Sequence, residues 1–399
     1  MIVQLIGLGY IGLPTAAVVA KHNINVIGVD INPDVVDTIN RGEIHIVEQG
    51  LQNLVKETVE NGLFKATTNP QQANVHIVVV PTPFKNNFEP DISFVEKATL
   101  SVIPFLKPDD LFIIESTSPI GTTENIAKLI FEKRPDLLDK LFIAYCPERV
   151  LPGNILHELI FNDRSIGGIN QLSTSKAIQF YKLFVKGTLH QTNSRTAEMC
   201  KLTENASRDM QIAFANELSI ICDMANINVW ELIKLANLHP RVNILKPGSG
   251  VGGHCIAVDP YFIISEFPNQ SRLISTAREV NNEKTEWCIK KILDTAENFR
   301  LKYGRNPIIS LLGLDFKPNI DDLRESPACN IAKQIFQSEF KNILISEPNI
   351  KIHLSYKIVD FKFAIQEADI IAILVAHDEF KEIIRDNNKS YLDFVGILQ

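Results

Sequence analysis

The sequence comprises 399 residues, which is enough for two or three domains that each bury a hydrophobic core. A net charge of −7, with lysine and arginine scattered along the chain, disfavours a nucleic-acid surface. The six cysteines form no CxxC pair, which indicates neither a metal site nor a disulfide framework, so we expect reduced thiols in a cytoplasmic protein.

The N-terminal stretch MIVQLIGLGYIGLPTAAVVA is apolar, but it lacks the basic region that begins a signal peptide. Elsewhere no apolar run reaches the length of about 18 residues that indicates a membrane span. We therefore expect no membrane partner.

A glycine motif follows the first predicted strand. Residues 2–6 are typical of a buried parallel strand, residues 7–12 (GLGYIG) of a GxGxxG turn, and the residues to about Lys21 of a helix. A second apolar run, 26–29, ends at Asp30. This order of strand, turn, helix and acid predicts a dinucleotide site.

Each residue of that site has a physical task. Gly7 makes the tight turn, Gly9 lets the backbone approach a pyrophosphate, and Gly12 lets the helix pack on the sheet. Asp30 accepts hydrogen bonds from a ribose diol, and the next residues, 31–33, supply no arginine for a 2′-phosphate. NAD is therefore favoured over NADP.

The alternation of strand and helix continues with predicted strands near 75–80, 111–115 and 141–145. Ligands of an open α/β sheet bind at the carboxyl ends of its strands. The loops that follow these strands would place Thr82, Thr117 and Glu148 beside the nicotinamide, although each loop taken alone is also typical of an ordinary turn. Thr123, at the start of the next helix, could be only a helix cap.

A long helix is predicted over 196–225, and Lys201, Asn205 and Arg208 share one of its faces. On spacing alone, a solvated polar face is the favoured explanation. A shorter helix, 229–236, leads to His239-Pro240-Arg241 and then to GSGVGGHCIAVDP at 248–260. These glycines indicate either a plain loop or a place where a ligand approaches Cys255.

A second alternation begins after residue 304, with strands at 308–313, 343–346 and 370–375 and a helix at 327–338. This pattern predicts a smaller nucleotide-binding type of sheet without GxGxxG. The loop after its first strand carries Lys317 and Arg324, which taken alone are typical of surface charges.

Several motifs, in this order, resemble the UDP-glucose/GDP-mannose dehydrogenase family over essentially the whole chain. They are GLGYIGLP at 7–14, PTP at 81–83, STSP at 116–119, CPERVLPG at 146–153, KLTEN at 201–205, GVGGHCIAVDP at 250–260 and FKPNIDDLRESP at 316–327. The resemblance implies an α/β fold with an N-terminal Rossmann domain for NAD (1–190), a central long-helix dimerisation domain with the lysine and the cysteine loop (191–300) and a C-terminal Rossmann-like UDP-binding domain (301–399). The ending SYLDFVGILQ departs from the family pattern, and no function is assigned to it.

The resemblance also implies a reaction, the four-electron oxidation of the C6 alcohol of a UDP-sugar to a uronic acid with two NAD and one water. Cys255 would be the nucleophile, forming a thiohemiacetal and then a thioester. Lys201 would stabilise oxyanions or donate a proton, Asn205 and Asp259 would support them, and Glu148 would activate water. The remaining cysteines are expected to be core residues.

Further residues fall at binding positions of the family. The cofactor positions are Gly7, Gly9, Tyr10, Ile11, Gly12, Asp30, Thr82, Thr117, Thr123 and Arg324. The substrate positions are Arg149, Val150, Lys201, Asn205, Arg208, His239, Arg241, Gly252 and Lys317, the last of which could contact the cofactor instead.

The CPERVLPG and HPRVNILKPGSGVGGHC segments look like the branch of the family that acts on UDP-N-acetylmannosamine, for a bacterial surface polysaccharide. UDP-N-acetylglucosamine, UDP-N-acetylgalactosamine and UDP-glucose are alternatives. Two other hypotheses are a two-electron dehydrogenase in which Cys255 is incidental and a non-catalytic NAD-binding protein. The long apolar helix predicts a homodimer.

Overall fold

The computed structural model describes residues 1–85, 88–150, 153–350, 353 and 355–398. It divides into two compact units, Met1–Glu204 and Asn205–Gln399. Within the described residues, no helix combines the length and the hydropathy that a membrane span requires.

The first unit is built on a sheet that has eight strands within the described residues. The strands are β1 (Ile2–Ile6), β2 (Asn25–Val29), β3 (Phe64–Thr67), β4 (Val75–Val78), β5 (Leu111–Ile114), β6 (Phe142–Tyr145), β7 (Arg164–Gly168) and β8 (Leu189–Asn193). Their order is β3-β2-β1-β4-β5-β6-β7-β8, and every neighbouring pair is parallel except β6 with β7. The central strands are buried and mostly apolar, with Gln4 and His76 as buried polar exceptions, because helices cover both faces of the sheet.

The helices of this unit follow the strands. They are α1 (Gly12–Lys21), α2 (Pro33–Asn40), α3 (Leu51–Glu60), α4 (Ser93–Val102), α5 (Thr122–Lys133), α6 (Ile155–Phe161) and α7 (Gln171–Tyr181). The long helix α8 (Ser194–Met224) begins in the first unit and ends in the second.

The second unit contains a smaller sheet of four parallel strands within the described residues. The strands are β9 (Ile309–Leu312), β10 (Ile343–Ser346), β11 (Ile370–Ile373) and β12 (Ser390–Asp393), in the order β10-β9-β11-β12. Its helices after α8 are α9 (Val229–Ala236), α10 (Asp259–Glu266), α11 (Arg272–Tyr303), α12 (Pro327–Gln337) and α13 (Phe361–Glu367). The buried side of α11, including Cys288 and Ile292, packs into the core of this sheet.

The fold confirms the predicted α/β class, with one mostly parallel and one parallel sheet and long helices between them in the chain. The helix predicted at 229–236 and the strand predicted at 343–346 match α9 and β10. The C-terminal segment, to which the sequence assigned no function, forms β12 and a turn in which the Asp393 carboxylate accepts backbone N–H groups of residues 395–398.

Candidate active site

The glycine turn after β1 has the geometry that the motif predicts. Gly7 has a φ of +97°, and a Cβ there would lie 2.2 Å from the carbonyl oxygen of Val79. A Cβ on Gly12 would lie 1.9 Å from the carbonyl oxygen of Gly7. Around Gly9, by contrast, no described atom lies within 4 Å of a Cβ position, which leaves space for a pyrophosphate.

The acid at the end of β2 is fixed beside this turn. Oδ2 of Asp30 accepts the Leu8 N–H at 3.0 Å, and Oδ1 accepts the Asn32 N–H at 2.9 Å. Asp30 is partly exposed, as is Ile11 in the turn, and Tyr10 is exposed. The residues present therefore fit a dinucleotide: an open glycine backbone, a helix N-terminus and an oriented carboxylate.

The loops after β4 and β5 also lie at this edge of the sheet. Thr82 and Thr117 are both partly exposed in these loops. The Ser116 hydroxyl oxygen accepts the Val80 N–H at 2.9 Å, which joins the two loops. The predicted roles of the two threonines beside the nicotinamide stay predictions.

Thr123, at the start of α5, is bound to a residue of α8. Its side chain is fully buried, and its hydroxyl donates to Oε1 of Glu198 at 2.6 Å. The N–H groups of Thr123 and Gly121 donate to the same carboxylate at 2.7 and 2.6 Å. In this structure the hydroxyl is bound to Glu198 at the start of α5, and the predicted cofactor contact of Thr123 stays a prediction.

Glu198 was missed by the sequence analysis. A glutamate on a long helix is usually a solvated charge, yet this one is fully buried. Burial raises the pKa of Glu198, although three hydrogen bonds from the start of α5 favour its charged form. Because Glu198 lies one turn before Lys201 on α8, it anchors the part of that helix that carries the lysine.

Lys201 and Glu148 meet within the first unit. The Lys201 Nζ donates to the carbonyl oxygen of Glu148 at 2.7 Å. The Glu148 side chain is buried, and its Oε2 accepts the Val150 N–H at 2.7 Å. The arrangement places an ammonium group and a carboxylate at the loop that follows β6.

Arg149 is held by α8. Its Nε and Nη2 atoms lie 3.1 and 2.6 Å from the two carboxylate oxygens of Glu204, and its Nη1 donates to the Asp163 carbonyl oxygen at 3.1 Å. Glu204, within the KLTEN motif, is a second residue that the sequence analysis did not single out. Val150 is partly exposed, and the next two residues of the CPERVLPG motif, 151 and 152, lie outside the described residues.

The second unit brings Asn205, Asp259 and Cys255 together. The Asn205 Nδ2 donates to Oδ2 of Asp259 at 2.5 Å, and the Asp259 N–H donates to the carbonyl oxygen of Cys255 at 2.8 Å. Asp259 is the first residue of α10, so the cysteine lies in the turn that leads into this helix. Its side chain is partly exposed.

Other thiols are in less reactive surroundings. Burial raises the pKa of Cys146 to about 11 and that of Cys288 to about 12, and Cys222 is also buried. Burial likewise raises the pKa of Cys329 to about 11. Since the thiolate is the nucleophile, the three cysteines with a raised pKa are poor candidates for covalent catalysis.

The glycines before Cys255 have a structural reason in addition to the expected approach of a ligand. A Cβ on Gly252 would lie 2.5 Å from the carbonyl oxygen of Glu325 and 2.7 Å from Cβ of Phe316. Gly253 has a φ of +81°, and a Cβ there would lie 2.8 Å from the Phe316 ring. The glycines therefore allow close packing against the segment 314–326, rather than only access to the thiol.

The remaining predicted residues of the second unit are mostly exposed. Arg208, His239 and Arg241 are exposed, and the Arg241 N–H donates to Nδ1 of His239 at 3.3 Å. Lys317 is partly exposed, whereas Arg324 is exposed and pairs with Asp322 at 2.5 Å. Their predicted ligand contacts stay predictions.

The first sheet, with its glycine turn and the acid after β2, is that of a dinucleotide-binding protein. The UDP-glucose/GDP-mannose dehydrogenase family matches along most of the chain: its NAD binding domain matches residues 1–185, its central domain 195–283 and its UDP binding domain 310–398. The chain belongs to this family. It is an NAD-dependent oxidoreductase, as the sequence predicts.

Individual relatives are similar over nearly their full length. A UDP-N-acetyl-D-mannosamine dehydrogenase of Campylobacter jejuni is 53% identical over 405 residues, covering 98% of each chain. An NDP-N-acetyl-D-galactosaminuronic acid dehydrogenase of Ralstonia nicotianae is 48% identical over 400 residues, covering 97% of this chain and 93% of the relative. The structure of a UDP-D-ManNAc dehydrogenase from Pyrococcus horikoshii superposes with a TM-score of 0.92 at 36% identity, covering 100% of this chain and 96% of the other.

Proposed function

We propose that the protein oxidises C6 of UDP-N-acetyl-D-mannosamine to the uronic acid, with two NAD and one water consumed. The observation that carries this proposal is the 53% identity, over 98% of each chain, to a UDP-N-acetyl-D-mannosamine dehydrogenase. The contacts that join Asn205, Asp259 and Cys255 support a thiol-based route to the acid.

The glycine turn and Asp30 would hold NAD, which would accept the hydride in both oxidations. In the proposed route the first oxidation transfers a hydride from C6 to NAD, releases the hydroxyl proton and leaves an aldehyde. The Cys255 thiolate attacks this aldehyde, a C–S bond forms, the C=O π bond breaks, and the oxygen takes up a proton. The second oxidation transfers a hydride from C6 of this thiohemiacetal to the second NAD, releases the hydroxyl proton and leaves a thioester. Water then attacks the thioester carbon, the C–S bond breaks, and the carboxylate leaves the regenerated thiol.

Three polar groups support these steps in the proposal. The Lys201 ammonium stabilises charge that develops on the C6 oxygen. Asn205, oriented by its hydrogen bond to Asp259, donates to the same oxygen. Glu148, whose buried carboxylate is held by the Val150 N–H, takes a proton from the attacking water.

The binding positions belong to the same proposal. The sugar nucleotide would contact Arg149, Val150, Lys201, Asn205, Arg208, His239, Arg241, Gly252 and Lys317. We further propose that the enzyme is a cytoplasmic homodimer that supplies a bacterial surface polysaccharide, with domains at 1–190, 191–300 and 301–399. Exposed apolar residues of α8, including Phe214, Ile221 and Met224, support a dimer interface on that helix.

UDP-N-acetylgalactosamine is the second candidate substrate, because a relative that is 48% identical is an NDP-N-acetyl-D-galactosaminuronic acid dehydrogenase. The two candidates differ in configuration at C2 and C4 of the sugar, so they present different hydroxyl and acetamido positions to one pocket.

A panel of UDP-sugars, followed by NADH absorbance and mass spectrometry of the product, tests the proposal. UDP-N-acetylmannosamine should give the highest kcat/KM and two NADH for each uronic acid. One NADH for each product would refute the four-electron route, and preference for another sugar would refute the substrate.

A further inference from the structure

Three buried polar residues lie at the carboxyl ends of neighbouring strands in the second unit. Asp315 follows β9, Glu347 follows β10 and His377 follows β11, and each is at most 3% exposed. One side-chain ligand atom from each lies within 4.8 Å of the others. None of the three belongs to the proposed catalytic set.

Their donor atoms could suit a metal ion, but the hydrogen bonds of His377 favour another role. Its Nδ1 accepts the backbone N–H of Asn319 at 3.1 Å and lies 3.0 Å from Nδ2 of Asn349. Because Nδ1 is an acceptor, these contacts assign the ring hydrogen to Nε2, which lies 3.2 Å from Oε2 of Glu347. A metal-bound histidine has its lone pair on the ligating nitrogen and donates from the other one.

The cluster instead holds the start of the segment 314–326. Oε2 of Glu347 accepts the N–H groups of Leu314 and Asp315 at 2.6 and 3.2 Å, and His377 accepts that of Asn319. Although burial opposes it, the contacts with His377 and with backbone N–H groups lower the pKa of Glu347. The buried Glu347 carboxylate thus accepts hydrogen bonds from the backbone at the start of this segment.

The other side of the same segment contacts the cysteine loop. The Gly253 N–H donates to the Arg324 carbonyl oxygen at 3.0 Å. Gly252 and Gly253 leave no room for a Cβ against Phe316 and Glu325. The backbone two residues before Cys255 is therefore shaped by the segment that Glu347 and His377 hold.

We propose that Glu347 and His377 are positioning residues for Cys255, acting through the segment 314–326. The proposal rests on the proposed function, in which Cys255 is the nucleophile. A misplacement of about 1 Å far from the reacting atoms can cost about a hundredfold in rate, so a small shift of this segment would be visible in kcat.

Two substitutions separate the contacts of His377. His377→Asn keeps an acceptor near the Nδ1 position but no group that reaches Glu347, and His377→Gln keeps a donor near the Nε2 position but loses the acceptor for Asn319. His76→Asn is the matched control, since His76 is a fully buried histidine on β4 of the first unit with its Nδ1 3.1 Å from Nε2 of Gln4. Gly252→Ala perturbs the contact between the cysteine loop and the segment 314–326 from within the cysteine loop.

Two measurements test the proposal: the rate at which iodoacetamide alkylates Cys255, followed by peptide mass spectrometry, and kcat together with the KM for NAD. We expect both His377 variants and Gly252→Ala to change the alkylation rate and to lower kcat about tenfold or more, with the KM for NAD within about twofold of wild type. His76→Asn should leave the alkylation rate unchanged.

The outcomes are distinguishable. Wild-type alkylation rates and kcat in the folded His377 variants would overturn the positioning role, as would an equal change in the His76→Asn control. Full activity of the wild-type protein after complete alkylation of Cys255 would instead refute the proposed function.

Discussion

The two sheets have the same local structure at the carboxyl ends of their strands, but that structure serves a different purpose in each sheet. Gly7 after β1 and Gly313 after β9 have φ values of +97° and +95°, and each donates its N–H at 2.8 Å to the last residue of the neighbouring strand, Val29 or Ser346. In each sheet the N–H of the next residue, Leu8 or Leu314, donates to the acid that comes directly after that neighbouring strand, at 3.0 and 2.6 Å.

The difference lies two residues after the glycine. The first sheet has Gly9 there, beside open space, and its acid, Asp30, is partly exposed. The second sheet has Asp315, which is buried, and its acid, Glu347, is covered by His377. One edge is open to a dinucleotide, whereas the other is filled by its own side chains and holds a loop.

Replacing the thiol should have the largest effect. Cys255→Ser should lower uronic acid production by about a thousandfold or more, because a serine hydroxyl is hardly ionised at neutral pH. The first oxidation, and NAD binding at the glycine turn of the first sheet, should persist, since neither needs the thiol. Rapid-mixing NADH measurements with mass spectrometry of the C6 product should therefore reveal aldehyde.

The matched control is Cys200→Ser, which changes another partly exposed cysteine and should keep the wild-type rate. If Cys255→Ser still makes uronic acid with two NADH at a near wild-type rate, the thiol is not the nucleophile.

An intermediate effect is expected at the open edge. Asp30→Ala should raise the Kd for NAD about ten- to a hundredfold and weaken discrimination against NADP, because hydrogen bonds to a charged group contribute about 1.5–3 kcal/mol. Titration calorimetry with both cofactors measures the change. The matched control is Asp34→Ala, which replaces an exposed acid in the first turn of α2 and should bind NAD as the wild type does. Equal use of NAD and NADP by the wild type would contradict the role of Asp30.

The smallest effect is expected at the filled edge. Burial, with the charge of Glu347, raises the pKa of Asp315 well above its ordinary value. Between the ordinary pKa of an aspartate and the raised pKa of Asp315, the folded state keeps a proton that the unfolded state has lost. In this pH range the free energy of unfolding therefore falls as pH rises. Asp315→Asn should reduce that slope by at most about 1.4 kcal/mol per pH unit.

Urea unfolding between about pH 5 and about pH 8 measures this slope. Asp321→Asn, at an exposed position of the same segment, should keep the wild-type slope. An unchanged slope for Asp315→Asn would mean that Asp315 is ionised in the folded protein.

The sequence predicted the open edge better than the filled one for a physical reason. Gly7, Gly9, Gly12 and Asp30 lie close together in the chain, and their spacing follows from the contacts of one strand–turn–helix unit. Asp315, Glu347 and His377 lie far apart in the chain and meet only because β10, β9 and β11 are neighbours, which no local pattern reveals.

Several elements were missed for similar reasons. The residues of β8 (LHQTN) are polar and partly exposed at the sheet edge, so they lack the apolar run that predicts a buried strand. Helix α11 is rich in charges, and its buried side includes Lys284 and Arg278, which disguise the apolar periodicity. Glu198 and Glu204 were missed because a charge on a helix is usually solvated.

The uneven burial of the thiols also determines how the protein responds to oxidants. Oxidation to a sulfenic acid follows thiolate character and exposure, so Cys146, Cys222 and Cys288 are protected by the core. Damage should begin at the partly exposed thiols, and at Cys255 it would remove the proposed nucleophile while the fold stays intact. Loss of activity on storage should then precede any loss of helical signal, and a thiol reductant should reverse it while the oxidation has not passed the sulfenic stage.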